Sequence, residues 1–157
     1  MLLRIENSTL QMKLVFQLRE ELRTDPERIV RTQALTLNPS RPKMGLKGSH
    51  GLFGSNEWWQ SIEDGSMPLL YLSGVVREIY QAGQDGLGKN NTIDIVLENG
   101  SVETVGIYVN NESDTDLFCV DRRVEVVYAL DELKLQPAND GGINTSRIAL
   151  EMAIQIR

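Results

Sequence analysis

The residues Asn110, Glu112, Asp114 and Asp116 set oxygen ligands at alternate positions, the arrangement of a calcium loop. The glycine of the sharp turn and the distal bidentate Glu that such a loop needs are absent, so a helix cap and turn explain the same residues. Nucleophilic chemistry has as little support. The one histidine, His50, sits in a glycine-rich stretch, and no pattern ties it to Cys119 or to a serine. Cys119 stands among Leu117, Phe118 and Val120, where a buried, inert thiol is expected. The segment 81–91 is glycine-rich and holds Lys89, but it leads into a strand, whereas a phosphate-cradling loop leads into a helix N-terminus. Carboxylates are plentiful, yet no spacing marks an acid/base pair, and a zinc site would lack ligands. No catalytic residue, metal site or cofactor is assigned, and no enzyme is expected.

Trp58 and Trp59, the two tryptophans of the chain, adjoin in the segment 54–65. Ser55 is a good N-cap and Gly65 a good terminator, so a helix over 56–64 is expected. Four residues apart, Trp58 and Ile62 share a face; Trp59 is turned by about 100° from Trp58, so the two rings cannot form one flat stacking surface. Trp58, Trp59 and Ile62 therefore read as a structural plug, with Trp58 deeply buried and Trp59 partly so, and not as a ligand platform.

A helix of that kind needs a scaffold to close. The chain has 157 residues, enough for a hydrophobic core, with 41 % hydrophobic and 24 % charged residues. No apolar run approaches the roughly 18 residues that span a bilayer, so no membrane association is expected. The opening Met-Leu-Leu-Arg-Ile-Glu lacks a basic region followed by an apolar run, and one cysteine makes no internal disulfide; both fit a cytoplasmic location. Charge is uneven. Residues 1–66 hold nine Lys/Arg against eight Asp/Glu, whereas residues 67–157 hold seven against fourteen, a net of −7. Such an acidic half repels phosphate backbones.

From Met67 onward the pattern is β. Ile93, Ile95 and Leu97 alternate with Asp94 and Glu98, and Asn99-Gly100 is a strong hairpin signal before the returning run 101–109. Val124, Val126, Tyr128 and Leu130 share one face of the next strand, and Ile148, Leu150, Met152, Ile154 and Ile156 one face of the last, with Glu151 opposite. The first strand, 69–80, contains Gly74, which marks a bulge or bend. Between the third and fourth strands, Ser113 reads as the N-cap of a single helical turn. The order long strand, hairpin, short helix, strand, strand resembles the OB-fold, a five-stranded Greek-key antiparallel barrel, over 67–157; an SH3-like barrel would show nearly the same pattern. The expected class is mainly β (α+β), with the tryptophan helix stopping the barrel mouth. Residues 1–43 are expected to form a strand/helix accessory arm, with a strand from Leu10 and a helix opening at Asp25-Pro26. Residues 44–54 are expected as a flexible linker and 55–157 as the barrel domain. The arm offers a route to a homo-oligomer.

What the OB resemblance implies for binding is the second and third strands with the loops 81–91 and 131–145. A single-strand binder places stacking rings and basic groups there. Here Tyr108, Lys89 and Lys134 face Asp85, Asp94, Glu98, Asp131, Glu132 and Asp140, which is the wrong sign with too few rings. Single-stranded nucleic acid is thus the alternative. The preferred reading is a non-enzymatic, cytoplasmic, bacterial binding module that engages another protein through an acidic face, with Tyr108, Lys89, Asp94, Glu98, Asp131, Glu132 and Asp140 as the candidate binding residues. Small acidic domains that block a basic partner, such as toxin-neutralising immunity proteins, are similar in kind.

Overall fold

The computed structural model describes residues 1–83 and 88–157. Six strands form one sheet: β1 (Met12–Gln17), β2 (Leu69–Tyr80), β3 (Thr92–Leu97), β4 (Val102–Gly106), β5 (Arg123–Glu132) and β6 (Thr145–Gln155), in the order β1-β6-β5-β2-β3-β4. The helices are α1 (Leu18–Thr24), α2 (Glu27–Leu37) and α3 (Asn56–Glu63). The mainly β class stands, and so does the expected order of the last five strands. The closed barrel does not. β1 and β4 are the two edges of an open sheet. Past β4, Asn110 donates its amide to the Val15 carbonyl, accepts from the Gln17 amide at 2.7 Å and donates to the Gln17 carbonyl. That is a clasp at one residue and not a ladder that would close a cylinder.

The chain falls into two compact units: residues 1–18, 71–127 and 149–157, and residues 19–70 and 128–148. In the first, β1 runs antiparallel to β6, with Leu14 opposite Ala153 and Phe16 opposite Met152. The core holds Val76, Ile93, Ile95, Val105, Val124, Val126, Leu150, Met152 and Ile154. The isoleucines of β3 are fully buried as their alternation requires, and Asn99-Gly100 forms the hairpin, with Gly100 at φ 86°. Gly74 answers a close approach and not a bulge: a Cβ there would lie 2.7 Å from the Val96 carbonyl oxygen. The irregular step of β2 falls between Val76 and Glu78.

Alternation misleads on the inner strands. From Ile148 to Ile154 every residue of β6 is buried, because both of its faces are covered. Glu151, on the face opposite Leu150 and Met152, accepts from the Leu2 and Leu3 amides at 2.8 Å each, so the N-terminal segment lies over that face. The short turn at Glu112–Leu117 is a 3-10 helix capped by Asn111, whose side chain accepts from the Ser113 amide; the cap stands two residues before the expected one.

In the second unit, Leu46 bridges to Leu133, and Lys47 donates its amide to the Glu132 carbonyl at 2.9 Å. Lys134 ties down the end of α2 by donating Nζ to the carbonyls of Leu35 and Arg41, a cation placed at the negative end of a helix.

Candidate functional site

In the first unit the side of β2, β3 and β4 away from the core makes a continuous surface. Ile93 and Ile95 point inward, so Thr92, Asp94 and Val96 point out. Register joins Val75 to Val96 and Val96 to Val102, and joins Glu78 to Asp94 and Asp94 to Thr104. The outer face thus carries a row of three valines beside a polar row. Within the polar row, Tyr80 Oη and Thr104 Oγ1 both donate to Asp94 Oδ1, at 2.8 and 2.7 Å. Those bonds, Thr104's first, hold the Asp94 carboxyl below the usual carboxylate range, while the bond to Asp94 raises the Tyr80 phenol.

On the other flank of the valine row, Ser73, Val75, Val96, Glu98 and Arg123 line a groove of about 460 Å³. Arg123 donates Nη1 to Ser73 Oγ at 3.0 Å, whereas Glu98 has no hydrogen-bond or ion-pair partner among the described residues. A second groove of about 470 Å³ shares Ser73 and runs between Leu2–Arg4, Tyr71 and Glu125. Tyr71 is 54 % exposed. This unit contains twelve Asp/Glu and seven Lys/Arg, a net of −5 out of the chain's −6. The surface is acidic, with apolar and aromatic side chains set into it.

The tryptophans lie in the second unit. Ser55 Oγ accepts from the Trp58 amide at 3.2 Å and starts α3 as expected. Trp58 is wholly buried, Ile62 nearly so, and Trp59 half-buried. The two indoles meet edge to face, with centroids 4.9 Å apart and planes at 85°, and Phe53 packs 5.0 Å from Trp58. Arg19 covers Trp59, its guanidinium 4.0 Å from the ring centroid. The sheet is open, so there is no barrel mouth for them to stop; they fill the interior of their own unit. At its centre Trp58 Nε1 donates to Asp131 Oδ2 at 2.8 Å. Asp131 Oδ1 is buried with no hydrogen-bond partner among the described residues, and burial raises this carboxyl above its ordinary range against the opposing effect of the Trp58 bond.

The residues expected on a single binding face are therefore dispersed. Asp94 and Glu98 lie on the outer face of the first unit. Asp131, 0 % exposed, has no surface to offer. Glu132 accepts from Ser49 Oγ at 2.8 Å, and Asp140 is exposed in a turn where it accepts from the Gly142 amide. Tyr108 packs against Phe16, with centroids 5.7 Å apart, and does not stand out as a stacking ring. Lys89 pairs with Glu112 at 3.4 Å. Asp85 lies outside the described residues. Asp114 of the calcium-like run is taken by Lys13 Nζ at 2.7 Å. Cys119, expected buried, is exposed. Among the described residues no group of three or more His, Cys, Asp and Glu is placed to hold a metal ion, and no helix is long and apolar enough to cross a membrane.

Two features of the site rest on pairing that the sequence did not signal. The hairpin at Asn99-Gly100 joins Val96 to Val102, six residues on, but nothing along the chain sets Val75 beside Val96 to complete the valine row. The Trp58–Asp131 bond joins residues 73 positions apart.

A family model described as Immunity protein RhsI2 matches residues 12–155. Those bounds coincide with the first residue of β1 and the last of β6. No curated protein matches the chain.

Proposed function

The chain belongs to the Immunity protein RhsI2 family, and from that premise we propose that it is a non-enzymatic binding protein that neutralises a toxin by direct contact. The observation that carries this reading is the family match, which takes in every strand of the sheet. The physical character of the first unit supports it. A net of −5 draws a basic protein partner by long-range attraction and raises the rate of encounter. Single-stranded nucleic acid is not favoured: that net charge opposes a phosphate backbone, and Tyr108 is occupied with Phe16.

The test is to capture the partner from the native host with the tagged full chain and to co-express that partner, as the toxin, with the chain. Growth is rescued, and the two proteins elute together in gel filtration at low salt. A toxin that kills equally well in the presence of the folded chain, and elutes apart from it, refutes the reading.

A further inference from the structure

Resting on that reading, we propose that the toxin seats on the valine row Val75–Val96–Val102, and that it presents there an apolar side chain flanked by Lys or Arg. Three observations converge on this face. First, the register places the three valines side by side across β2, β3 and β4, and Val102 at the sheet edge is 42 % exposed. Nothing on the sheet's other face requires apolar residues here. The core is already closed by Val76, Ile95 and Val105.

Second, the row is bounded by carboxylates in two different states. Asp94 is fixed by Tyr80 and Thr104 and kept ionised to low pH, with Oδ2 making none of those bonds. Glu98 borders the groove beside Val75 and Val96 with no internal partner among the described residues. A preoriented carboxylate costs little to engage, and an unpaired one loses no existing bond. Third, of the cations near the row, Arg123 is already committed to Ser73 and does not neutralise Glu98 by direct contact, and Arg77 acts on Asp94 through its charge alone, with no ion pair to it among the described residues. An apolar centre inside a charged rim is the pattern in which the centre supplies binding energy and the rim sets charge preference. The rim here asks for positive charge.

Binding is measured by calorimetry with the full chain and an inactivated variant of the toxin that the chain neutralises in the co-expression test. Val102→Asp and Glu98→Lys each weaken binding tenfold or more, and Glu98→Lys also reduces the salt dependence of association. Both positions are exposed, so the urea midpoint stays at the wild-type value, and that measurement separates lost binding from lost folding. Asp140→Lys, in the second unit, is the control and binds as wild type. Wild-type affinity in both face variants overturns the inference, whether or not Asp140→Lys loses binding, and leaves toxin neutralisation standing. No binding by the wild-type chain removes the proposed function itself.

Discussion

The bond between Trp58 and Asp131 offers a quantitative test of what holds the second unit together. Trp58→Phe keeps a ring in a site with no exposure but removes Nε1–H, leaving Asp131 with neither oxygen bonded by a side chain. Loss of a hydrogen bond to a carboxylate, with the acceptor left buried, costs about 1.5–3 kcal/mol. Asp131→Leu preserves the branching at Cγ but strands the indole N–H, at a cost of about 1–3 kcal/mol, reduced by the burial penalty that the carboxyl no longer suffers. The double variant has no stranded group. It therefore costs less than the two single changes together, by a coupling of about 1–3 kcal/mol. Urea unfolding reads this directly. With a slope of roughly 1–3 kcal/mol per molar urea, the coupling appears as a midpoint shift on the order of 1 M at constant slope. Additive effects to within about 0.5 kcal/mol would show that the bond contributes nothing to stability and would refute the reasoning.

Asp131 also sets a pH dependence. Its carboxyl titrates higher in the folded chain than in the unfolded chain, so over that interval the native state holds the extra proton. The contribution of Asp131 to stability is thus highest below about pH 4, the unfolded value, declines as pH rises through the raised folded value, and then levels off. Asp131→Asn, which still accepts from Trp58, loses this decline. Urea midpoints of the two proteins from pH 4 to 8 check it, and a wild-type advantage that grows with pH contradicts it. In the first unit, Glu151→Ala leaves the Leu2 and Leu3 amides without their carboxylate. A loss of about 2–4 kcal/mol is expected, with the Leu3 amide becoming fast in hydrogen exchange while β5 amides stay protected. Unchanged protection at Leu3 would mean that the N-terminal segment is held by packing alone.

The local chemistry of several elements was legible in the residues. Asn99-Gly100 forces a hairpin because glycine accepts positive φ without cost, and Ser55 starts α3 because its hydroxyl meets an orphan amide. Ile93 and Ile95 declare which way β3 faces, since side chains alternate on a strand. Helical pitch sets the Trp58 and Trp59 side chains about 100° apart around α3, which is why one flat stacking surface was not expected; the edge-to-face meeting of the rings was set by packing. The acidic excess after Met67 pointed to a protein and away from a phosphate backbone.

Tertiary structure decided what covers what. Alternation identifies the two faces of β6 but not whether the second one meets water; two backbone amides at the start of the chain bury Glu151. Asp131 looked like a surface acid until an indole 73 residues away met it. Closure of the sheet depends on whether the edge strands pair, and β1 joins β6 while β4 remains an edge, a choice made by hydrogen bonds between distant segments. The valine row has that origin in part, since the hairpin sets Val102 beside Val96 but only the distant pairing of β2 with β3 adds Val75. Three residues that look unremarkable along the chain become one surface only when register sets them abreast, because periodicity is a property of a single strand and adjacency is a property of the pair.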